Sequence, residues 1–311
     1  MLTVALLMGI AFGVAAGFHP LLRFERPLLA LACATFCLIL LPLPLVLESR
    51  LGRLVAAIGC GLLALKIIDV SVGAAKGHRP NCPTYLAYLP NFGSFVLRKA
   101  NAEPAGTRCE NVIHLFRGTA LMACGFLLLK GLYVIAWGNW PFFVEHLCKT
   151  LGFFVGVLGL FESFFAIARL MGARARNPHH APLAARTPAD FWRRYNRPIQ
   201  QFFHENVFKP FGGRRRPVVL TLWVFFISAL IHEFGFSLGA GHFQGYQLAF
   251  FMLHGMVVAA TLGIKPRGVQ AMVWVGLTLA FNVTTGLLFM ASLDQIVPIY
   301  VNPLPQWLAG W

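Results

Sequence analysis

Two short polar stretches interrupt a chain that is otherwise rich in apolar residues. The first, PADFWRRYNRPIQQFFHENVFKP at 188–210, combines aromatic side chains and arginines with an asparagine, Asn196, between them. The second, SALIHEF, presents His232 and Glu233 after 15 mostly apolar residues. At 1.5 Å per residue, His232 lies about 22 Å along a helix that begins at Pro217, deep in a bilayer. Ionisable groups at that depth are energetically expensive and are usually functional.

The chemistry that His232 suits best is general-base catalysis. Burial in hydrocarbon disfavours the charged imidazolium, so the ring is expected to stay neutral and able to accept a proton. The sequence HEFGF departs from the H-E-x-x-H pattern, which argues against a zinc protease. A structural alternative stays open, because a lone intramembrane histidine can simply hydrogen-bond a neighbouring helix.

The first stretch carries the signals of two short helices. Thr187 is followed by Pro188, and Asp190 falls in the first turn, which together predict a capped helix start. Arg197 precedes a proline and is therefore expected to be extended. A second helix is predicted from Pro198 to Phe208, where another proline follows.

The side chains of the first predicted helix divide between two directions. Trp192 and Asn196 are spaced i,i+4, so we expect both to point inward from one face. Arg193, Arg194 and Arg197 then point toward water, where guanidinium groups suit phosphate. The alternative for this segment is an amphipathic helix that lies on anionic lipid headgroups.

Together, DFWRRYN and SALIHEF resemble the membrane-bound O-acyltransferase family, and most closely its wax-synthase branch. A weaker similarity extends to the diacylglycerol and sterol acyltransferases. Those enzymes carry an aromatic-rich motif that ends in asparagine, followed by a span with a buried catalytic histidine. Here His232 follows Asn196 by 36 residues, and Tyr195 stands where tryptophan is more usual. The similarity covers about residues 185–290.

The resemblance implies transfer of an acyl group from an acyl-CoA thioester to the hydroxyl of a lipid-soluble alcohol. His232 would be the general base, and Asn196 would reach toward the thioester. Acyl-CoA would act as a co-substrate, with no bound cofactor. We assign substrate contacts to Trp192, Ser228, Glu233 and Asn282, and contacts to the donor phosphates to Arg193, Arg194 and Arg197.

Two polar residues on later spans have competing interpretations. The Asn282 amide could donate a hydrogen bond to the thioester carbonyl, whose oxygen gains charge in the transition state. It could equally join two helices. His254, in FMLHGM, is expected to be structural.

Composition indicates an all-α, polytopic membrane protein of one domain, 1–311. Hydrophobic residues make up 58% of the chain and charged residues 12%, against about 25% charged in soluble domains. About eight apolar stretches are long enough to span a bilayer. They lie at 2–18, 27–47, 54–74, 113–136, 142–171, 217–239, 246–263 and 269–291. We expect short interfacial helices as well, around a buried reaction chamber. Residues 217–291 are expected to form the span with the catalytic histidine and the spans that follow it.

Charge predicts the orientation. The net charge is +15, and the segment 172–216 holds ten basic residues against two acidic ones. By the positive-inside rule this segment is cytoplasmic, as are the loops near 19–26, 75–112 and 264–268. Arg50 and Arg53 disagree with this orientation. The membrane would be the cytoplasmic one of a bacterium or the endoplasmic reticulum of a eukaryote, and membrane lipids, not nucleic acid, are the expected partners of the basic charge.

Other functions remain open at this point. A transporter could use intramembrane charges as a proton relay, here Lys66, Asp69, Arg117, His232 and Glu233. A lipid-binding scaffold would explain the basic segment without His232. Within the transferases, the acceptor could be a sugar or polymer, and the donor could be an acyl carrier protein. No C-x-x-C pair occurs among the seven cysteines, so no metal site is expected.

Overall fold

The structure, a computed structural model, describes residues 2–23, 48–100, 102–213 and 215–309. The span predicted at 27–47 lies outside the described residues, as do Arg26, Cys33, Cys37 and Arg214. The described ranges contain helices and connecting segments but no strand, which confirms the all-α prediction for them.

The α-helices of the described ranges follow one another in this order. They are α1 (Leu2–Gly17), α2 (Arg50–Ala74), α3 (Cys82–Tyr88), α4 (Leu97–Ala100), α5 (Arg108–Gly131), α6 (Phe142–Leu170), α7 (Pro188–Arg194), α8 (Arg197–Phe203), α9 (Pro217–Ala240), α10 (Tyr246–Ala260), α11 (Val269–Asp294) and α12 (Gln306–Ala309). A π-helical turn, His204–Phe208, continues α8. A 3₁₀ turn, His19–Arg23, extends α1.

Six of the described helices are long and apolar enough to cross a membrane. They are α1 with its 3₁₀ extension, α2, α5, α6, α9 and α11. The apolar helix α10 is shorter, with 15 residues. The chain is therefore an integral membrane protein, while the total of about eight spans remains a prediction.

Two spans begin earlier than hydropathy predicted. α2 begins at Arg50 and not near 54, and α5 begins at Arg108 and not near 113. Ser49 caps α2, and Thr107 forms a reciprocal capping box with Glu110 at the start of α5. Because caps satisfy the first backbone N–H groups, they set where a helix begins outside the apolar stretch.

The helix that carries His232 packs on neighbouring helices along one part of its surface, while another face is exposed. α9 packs between α2 and α10, and α10 packs in turn on α11. α5 and α6 form a close pair whose backbones meet at Gly125 and Gly156, where no side chain would fit. α6 also contacts α11, so this pair supports the outer side of the same bundle.

The loops predicted to share one side of the membrane meet at one end of the structure. The Asn91 side chain donates to the carbonyl of Arg174 (3.1 Å), and the Ala189 N–H donates to the Thr261 hydroxyl (3.3 Å). Arg98 reaches Asn206 at 2.8 Å. The segments near 91–98, 172–216 and 261–268 are thus adjacent, and their placement in the cytoplasm stays a prediction.

The two arginines that disagreed with the orientation have structural partners at the opposite end. Arg50 donates to the carbonyl of Gln295 (2.8 Å), and Arg53 donates to those of Leu238 and Gly239 (2.8 and 3.0 Å). These carbonyls lie at the C-terminal ends of α9 and α11, where cations are favoured. The arginines therefore hold helix ends together.

Lys66 and Asp69 have separate partners and are not bonded to each other. The Lys66 ammonium is fully buried and donates to three backbone carbonyls, at distances of 2.7 to 2.9 Å. Asp69 accepts from Arg98 at 2.9 Å and from the Asn206 amide at 3.0 Å. Each charged group here is thus hydrogen-bonded to the connecting segments, so the cluster ties α2 to them.

Candidate active site

The motif segment folds as two short helices joined at Tyr195 and Asn196. The Thr187 hydroxyl accepts a hydrogen bond from the N–H of Asp190 (3.1 Å), which confirms the predicted cap. α7 ends at Arg194, and the extended residue is Tyr195, with φ −97° and ψ 134°. The prediction that Arg197 would be extended is therefore wrong, because Arg197 already begins α8.

Asn196 adopts a left-handed backbone conformation, with φ 47° and ψ 53°. Asparagine is one of the few residues that tolerate this region, since its short amide creates little steric conflict there. The conformation breaks the helix, so Asn196 does not continue the face of Trp192 as the i,i+4 spacing predicted. The Asn196 side chain and the His232 ring are not hydrogen-bonded to each other.

Trp192 is wedged between α9 and α10. Its ring makes edge contacts with Phe225 on α9 and His254 on α10, at centroid distances of 5.2 and 5.3 Å. Phe251 lies between Trp192 and His232, at 5.8 Å from the former and 4.2 Å from the latter. One aromatic cluster therefore joins the motif helix to the histidine of α9.

A directed chain of hydrogen bonds runs from Trp192 to α11. The indole N–H can only donate, so Nδ1 of His254 accepts it, at 3.0 Å. Nε2 of His254 must then carry the proton, and it lies 2.8 Å from the Thr285 hydroxyl. That hydroxyl donates to the carbonyl of Phe281 at 2.7 Å. Both nitrogens of His254 are used, which supports the structural role expected for it.

His232 keeps one nitrogen free. Its Nδ1 lies 2.8 Å from the carbonyl oxygen of Ser228, and a carbonyl only accepts, so Nδ1 carries the proton. Nε2 is therefore the basic nitrogen of the neutral ring, and it has no hydrogen-bond partner in the described part of the chain. A histidine held in this tautomer is set to accept a proton from a bound molecule.

Glu233 holds the start of α10 in place. Its carboxylate accepts five hydrogen bonds, at 2.8 to 3.1 Å, from the Ser237 hydroxyl and from the backbone N–H groups of Gln244, Gly245, Gln247 and Leu248. A carboxylate at a helix N-terminus is favoured by the helix dipole and by unpaired N–H groups. Both oxygens are occupied by these donors, so Glu233 positions the start of α10, and its predicted contact with substrate stays a prediction.

Ser228 and Asn282 differ in their hydrogen bonding. Ser228 contributes its backbone carbonyl to His232, a contact that any residue at this position would supply. The Asn282 amide on α11 is different, because both its nitrogen and its oxygen are buried without a hydrogen-bond partner among the described residues. A buried amide without partners is costly, so Asn282 is free to bind a molecule inside the bundle.

The comparison with known families agrees with this geometry. The membrane-bound O-acyltransferase family, MBOAT, matches residues 109–290, which is more than half of the 311 residues. The chain belongs to the membrane-bound O-acyltransferase family. No curated protein matches it. This acyltransferase is thus a membrane enzyme of a family that uses acyl donors and lipid-type acceptors.

Asp190 forms ion pairs with two of the three arginines that were predicted to bind the acyl donor. Arg194 lies 2.9 Å and Arg193 3.4 Å from its carboxylate oxygens. Burial acts to raise the pKa of Asp190, but hydrogen bonds from Arg194 and the Arg186 backbone, with the nearby charges, outweigh it and lower the pKa. The more tightly held Arg194 is largely committed to this carboxylate, whereas Arg193 is 63% exposed in its side chain.

Arg197 is held within the protein and close to another cation. It is half-buried and donates to the carbonyl of Asn177 at 3.4 Å. Burial lowers the pKa of Arg197, and the charge of Arg176 lowers it further. The Glu103 carboxylate, which pairs with Arg176 at 2.8 Å, opposes this lowering of the Arg197 pKa in part.

Sequence reasoning missed His179, which supports the turn of the acyltransferase motif. Its ring stacks on Tyr195 with centroids 5.0 Å apart, and its Nδ1 lies 3.5 Å from the backbone nitrogen of Asn196. Burial lowers the pKa of His179 to about 4, opposed only in part by the charge of Glu162. Burial raises the pKa of Tyr195 to about 12. His179 lies in an irregular segment without periodicity, so no sequence signal pointed to it.

Phe251 and Thr285 were also not predicted as site residues. Phe251 lies one turn before His254 on α10, and Thr285 lies one turn after Asn282 on α11. Each is a neighbour, in helical spacing, of a residue that the sequence had singled out. That spacing is the signal that could have found them.

Proposed function

We propose that the enzyme transfers an acyl group from an acyl-CoA thioester to the hydroxyl of a lipid-soluble alcohol, as in wax-ester synthesis. His232 is the general base of this reaction. The observation that carries the proposal is the tautomer of His232, whose Nδ1–H donates to the Ser228 carbonyl and whose Nε2 is free. Phe251 contacts the His232 ring, and Trp192 and Phe225 continue the same aromatic cluster, which suits an apolar acceptor.

The reaction follows from this arrangement in one addition and one elimination. Nε2 of His232 accepts the proton of the alcohol as its oxygen attacks the thioester carbonyl carbon. The carbon–sulfur bond then breaks, the ester remains, and the thiolate takes up the proton from the imidazolium to leave as a thiol. General-base assistance of this kind contributes ~10²–10⁴-fold.

Two amides are available to the carbonyl group of the donor. Asn282 has a buried and unpaired amide, which can donate to the thioester oxygen as it gains charge. Asn196 lies at the turn that connects α7 and α8, where a side chain can approach the donor from the motif segment. Asn282 thus stabilises the charge on the oxygen, and Asn196 orients the thioester.

The donor approaches from the side of the basic segment, 172–216, which we place in the cytoplasm. Arg193 and Arg197 bind its phosphates, because the Arg193 side chain is 63% exposed and Arg197 forms no ion pair with a carboxylate in the described part of the chain. Arg194 contributes less, since Asp190 holds it. An alcohol dissolved in the bilayer reaches His232 from the lipid phase, so water need not enter the chamber.

The experiment that tests this function uses purified enzyme with a radiolabelled acyl-CoA and one acceptor at a time. We expect ester formation with a long-chain fatty alcohol and less with diacylglycerol, a sterol, an isoprenoid alcohol or a polysaccharide. Replacing acyl-CoA by an acyl carrier protein tests the donor. Preferential acylation of the polysaccharide, or no dependence on acyl-CoA, would overturn the proposal.

A further inference from the structure

A groove separate from the His232 cluster opens where α11 begins. Its cavity has a volume of about 490 Å³. The lining residues are Arg186, Arg267, Gly268, Ala271, Met272 and Val275. None of them belongs to the candidate active site, and two of them, Arg186 and Arg267, are cations.

The two cations of the groove are not neutralised by the protein. Arg186 and Arg267 are exposed, and neither guanidinium has a carboxylate partner in the described part of the chain. The carboxylate of Asp190, four residues after Arg186, forms ion pairs with Arg193 and Arg194 and not with the Arg186 guanidinium. Two planar guanidinium groups facing one cavity are suited to bind a phosphate through several hydrogen bonds.

Apart from the two arginines, the side chains that line the groove are apolar. Its floor consists of Ala271, Met272 and Val275 on α11, and Met272 is 75% exposed on the face of a membrane-spanning helix. This floor offers no side chain that could donate or accept a hydrogen bond. The amides of a coenzyme A arm would therefore lie unpaired here, at an energetic cost, whereas a hydrocarbon chain needs no partner.

We propose that the groove binds an anionic membrane phospholipid. The phosphate lies between Arg186 and Arg267, and one acyl chain lies along Ala271, Met272 and Val275. A lipid whose headgroup carries no compensating ammonium matches the two free positive charges. Basic pockets at the ends of membrane-spanning helices recognise such headgroups by this combination of charge and apolar surface.

The test measures lipid retention, which does not depend on transfer activity. The protein is reconstituted in vesicles of equal parts phosphatidylcholine and phosphatidylglycerol and extracted in mild detergent. Mass spectrometry then counts the phosphatidylglycerol that stays bound. We expect Arg186→Gln/Arg267→Gln to retain about tenfold less than the wild-type protein. The matched control Arg215→Gln/Arg216→Gln, which removes the same charge from exposed positions of the basic segment, is expected to retain the wild-type amount.

A second variant tests the apolar part of the groove without changing charge. Val275→Trp fills the floor and is expected to reduce phosphatidylglycerol retention about as much as the double arginine variant. Thermal unfolding shows whether each variant is folded. If the double arginine variant does not fold, the single variants Arg267→Gln and Arg215→Gln are compared in its place. Equal retention by the groove and control variants overturns the proposal. Displacement of the lipid by free coenzyme A overturns it as well, since the groove then belongs to the donor.

Discussion

Trp192 donates its indole N–H to Nδ1 of His254 across 3.0 Å, which ties the motif helix α7 to α10. The Nε2–H group of His254 donates a hydrogen bond to the Thr285 hydroxyl on α11, so both ring nitrogens of His254 are hydrogen-bonded. His232, on α9, engages only Nδ1. This difference supports separate tasks for the two histidines: His254 positions the motif helix, and His232 is the residue that we propose as the general base.

Trp192→Phe keeps an aromatic ring in the cluster but removes the donor to His254. The acceptor Nδ1 is then left buried without a partner, at a cost of ~1–3 kcal/mol. We expect a lower unfolding temperature and a lower kcat, measured in the same detergent. Trp223→Phe on the exposed face of α9 is the matched control. Equal unfolding temperatures for the two variants would contradict the positioning role.

Asn196 can be tested by two substitutions that separate its backbone from its amide. Glycine adopts the left-handed conformation freely, whereas alanine is strained there. Asn196→Gly is therefore expected to fold like the wild-type protein and yet lose most of its transfer rate, because the amide is gone. Asn196→Ala should lose stability as well. If Asn196→Gly transfers acyl groups at the normal rate, the residue serves only the turn.

The arginines of the motif segment are expected to affect donor binding unequally. Arg193→Gln and Arg197→Gln should each raise the KM for acyl-CoA by roughly tenfold with little change in kcat, because phosphate contacts hold ground and transition states alike. Arg194→Gln should change KM less, since Asp190 holds it.

Those kinetics are measured in neutral detergent at low salt, where contacts to phosphate are least screened. Arg215→Gln serves as the control for lost charge. An unchanged KM after neutralising Arg193, Arg194 and Arg197 together would mean that the segment only contacts lipid headgroups.

His179 gives the protein a pH-dependent stability. Its pKa is about 4 in the folded state, against about 6.5 in an unfolded chain. Between these values the unfolded state binds more protons, so stability falls as pH decreases from about 6.5 to about 4. His179→Phe keeps the stacking on Tyr195 but cannot titrate.

The unfolding temperature of His179→Phe should therefore depend less on pH between about 4 and about 6.5 than that of the wild-type protein. The same change at exposed His180 leaves the titrating group in place and should preserve the full dependence. Parallel pH profiles for His179→Phe and the wild-type protein would show that another group is responsible.

The fold was largely predictable from the sequence because apolar length determines membrane spans. Thr187 and Pro188 also predicted the start of α7 correctly. The helix ends were less predictable, since caps such as Thr107 act outside the apolar stretch. The span at 27–47 is outside the described residues and remains a prediction.

Sequence patterns singled out the residues of the candidate site, but they could not reveal the contacts that these residues make. His232 was identified by its depth in an apolar span, yet its tautomer depends on the carbonyl of Ser228, which no sequence pattern reveals. Asn196 was expected on a helix face, but the chain reverses there through a left-handed residue. Glu233 was expected to contact substrate, and no sequence pattern revealed that its carboxylate also accepts hydrogen bonds from the N-terminus of α10. The His232 tautomer, the Asn196 turn and the Glu233 contacts all depend on the three-dimensional structure, which a sequence pattern does not contain.

The most direct test of His232 as the general base is the transfer rate of His232→Ala beside that of His242→Ala. Both changes remove a histidine, and His242 lies exposed just after the end of α9. With the same acyl-CoA and fatty alcohol, His232→Ala is predicted to lose at least about 10²-fold in rate at an unchanged fold, while His242→Ala keeps full activity. A folded His232→Ala enzyme that retains wild-type-like turnover would contradict the assignment.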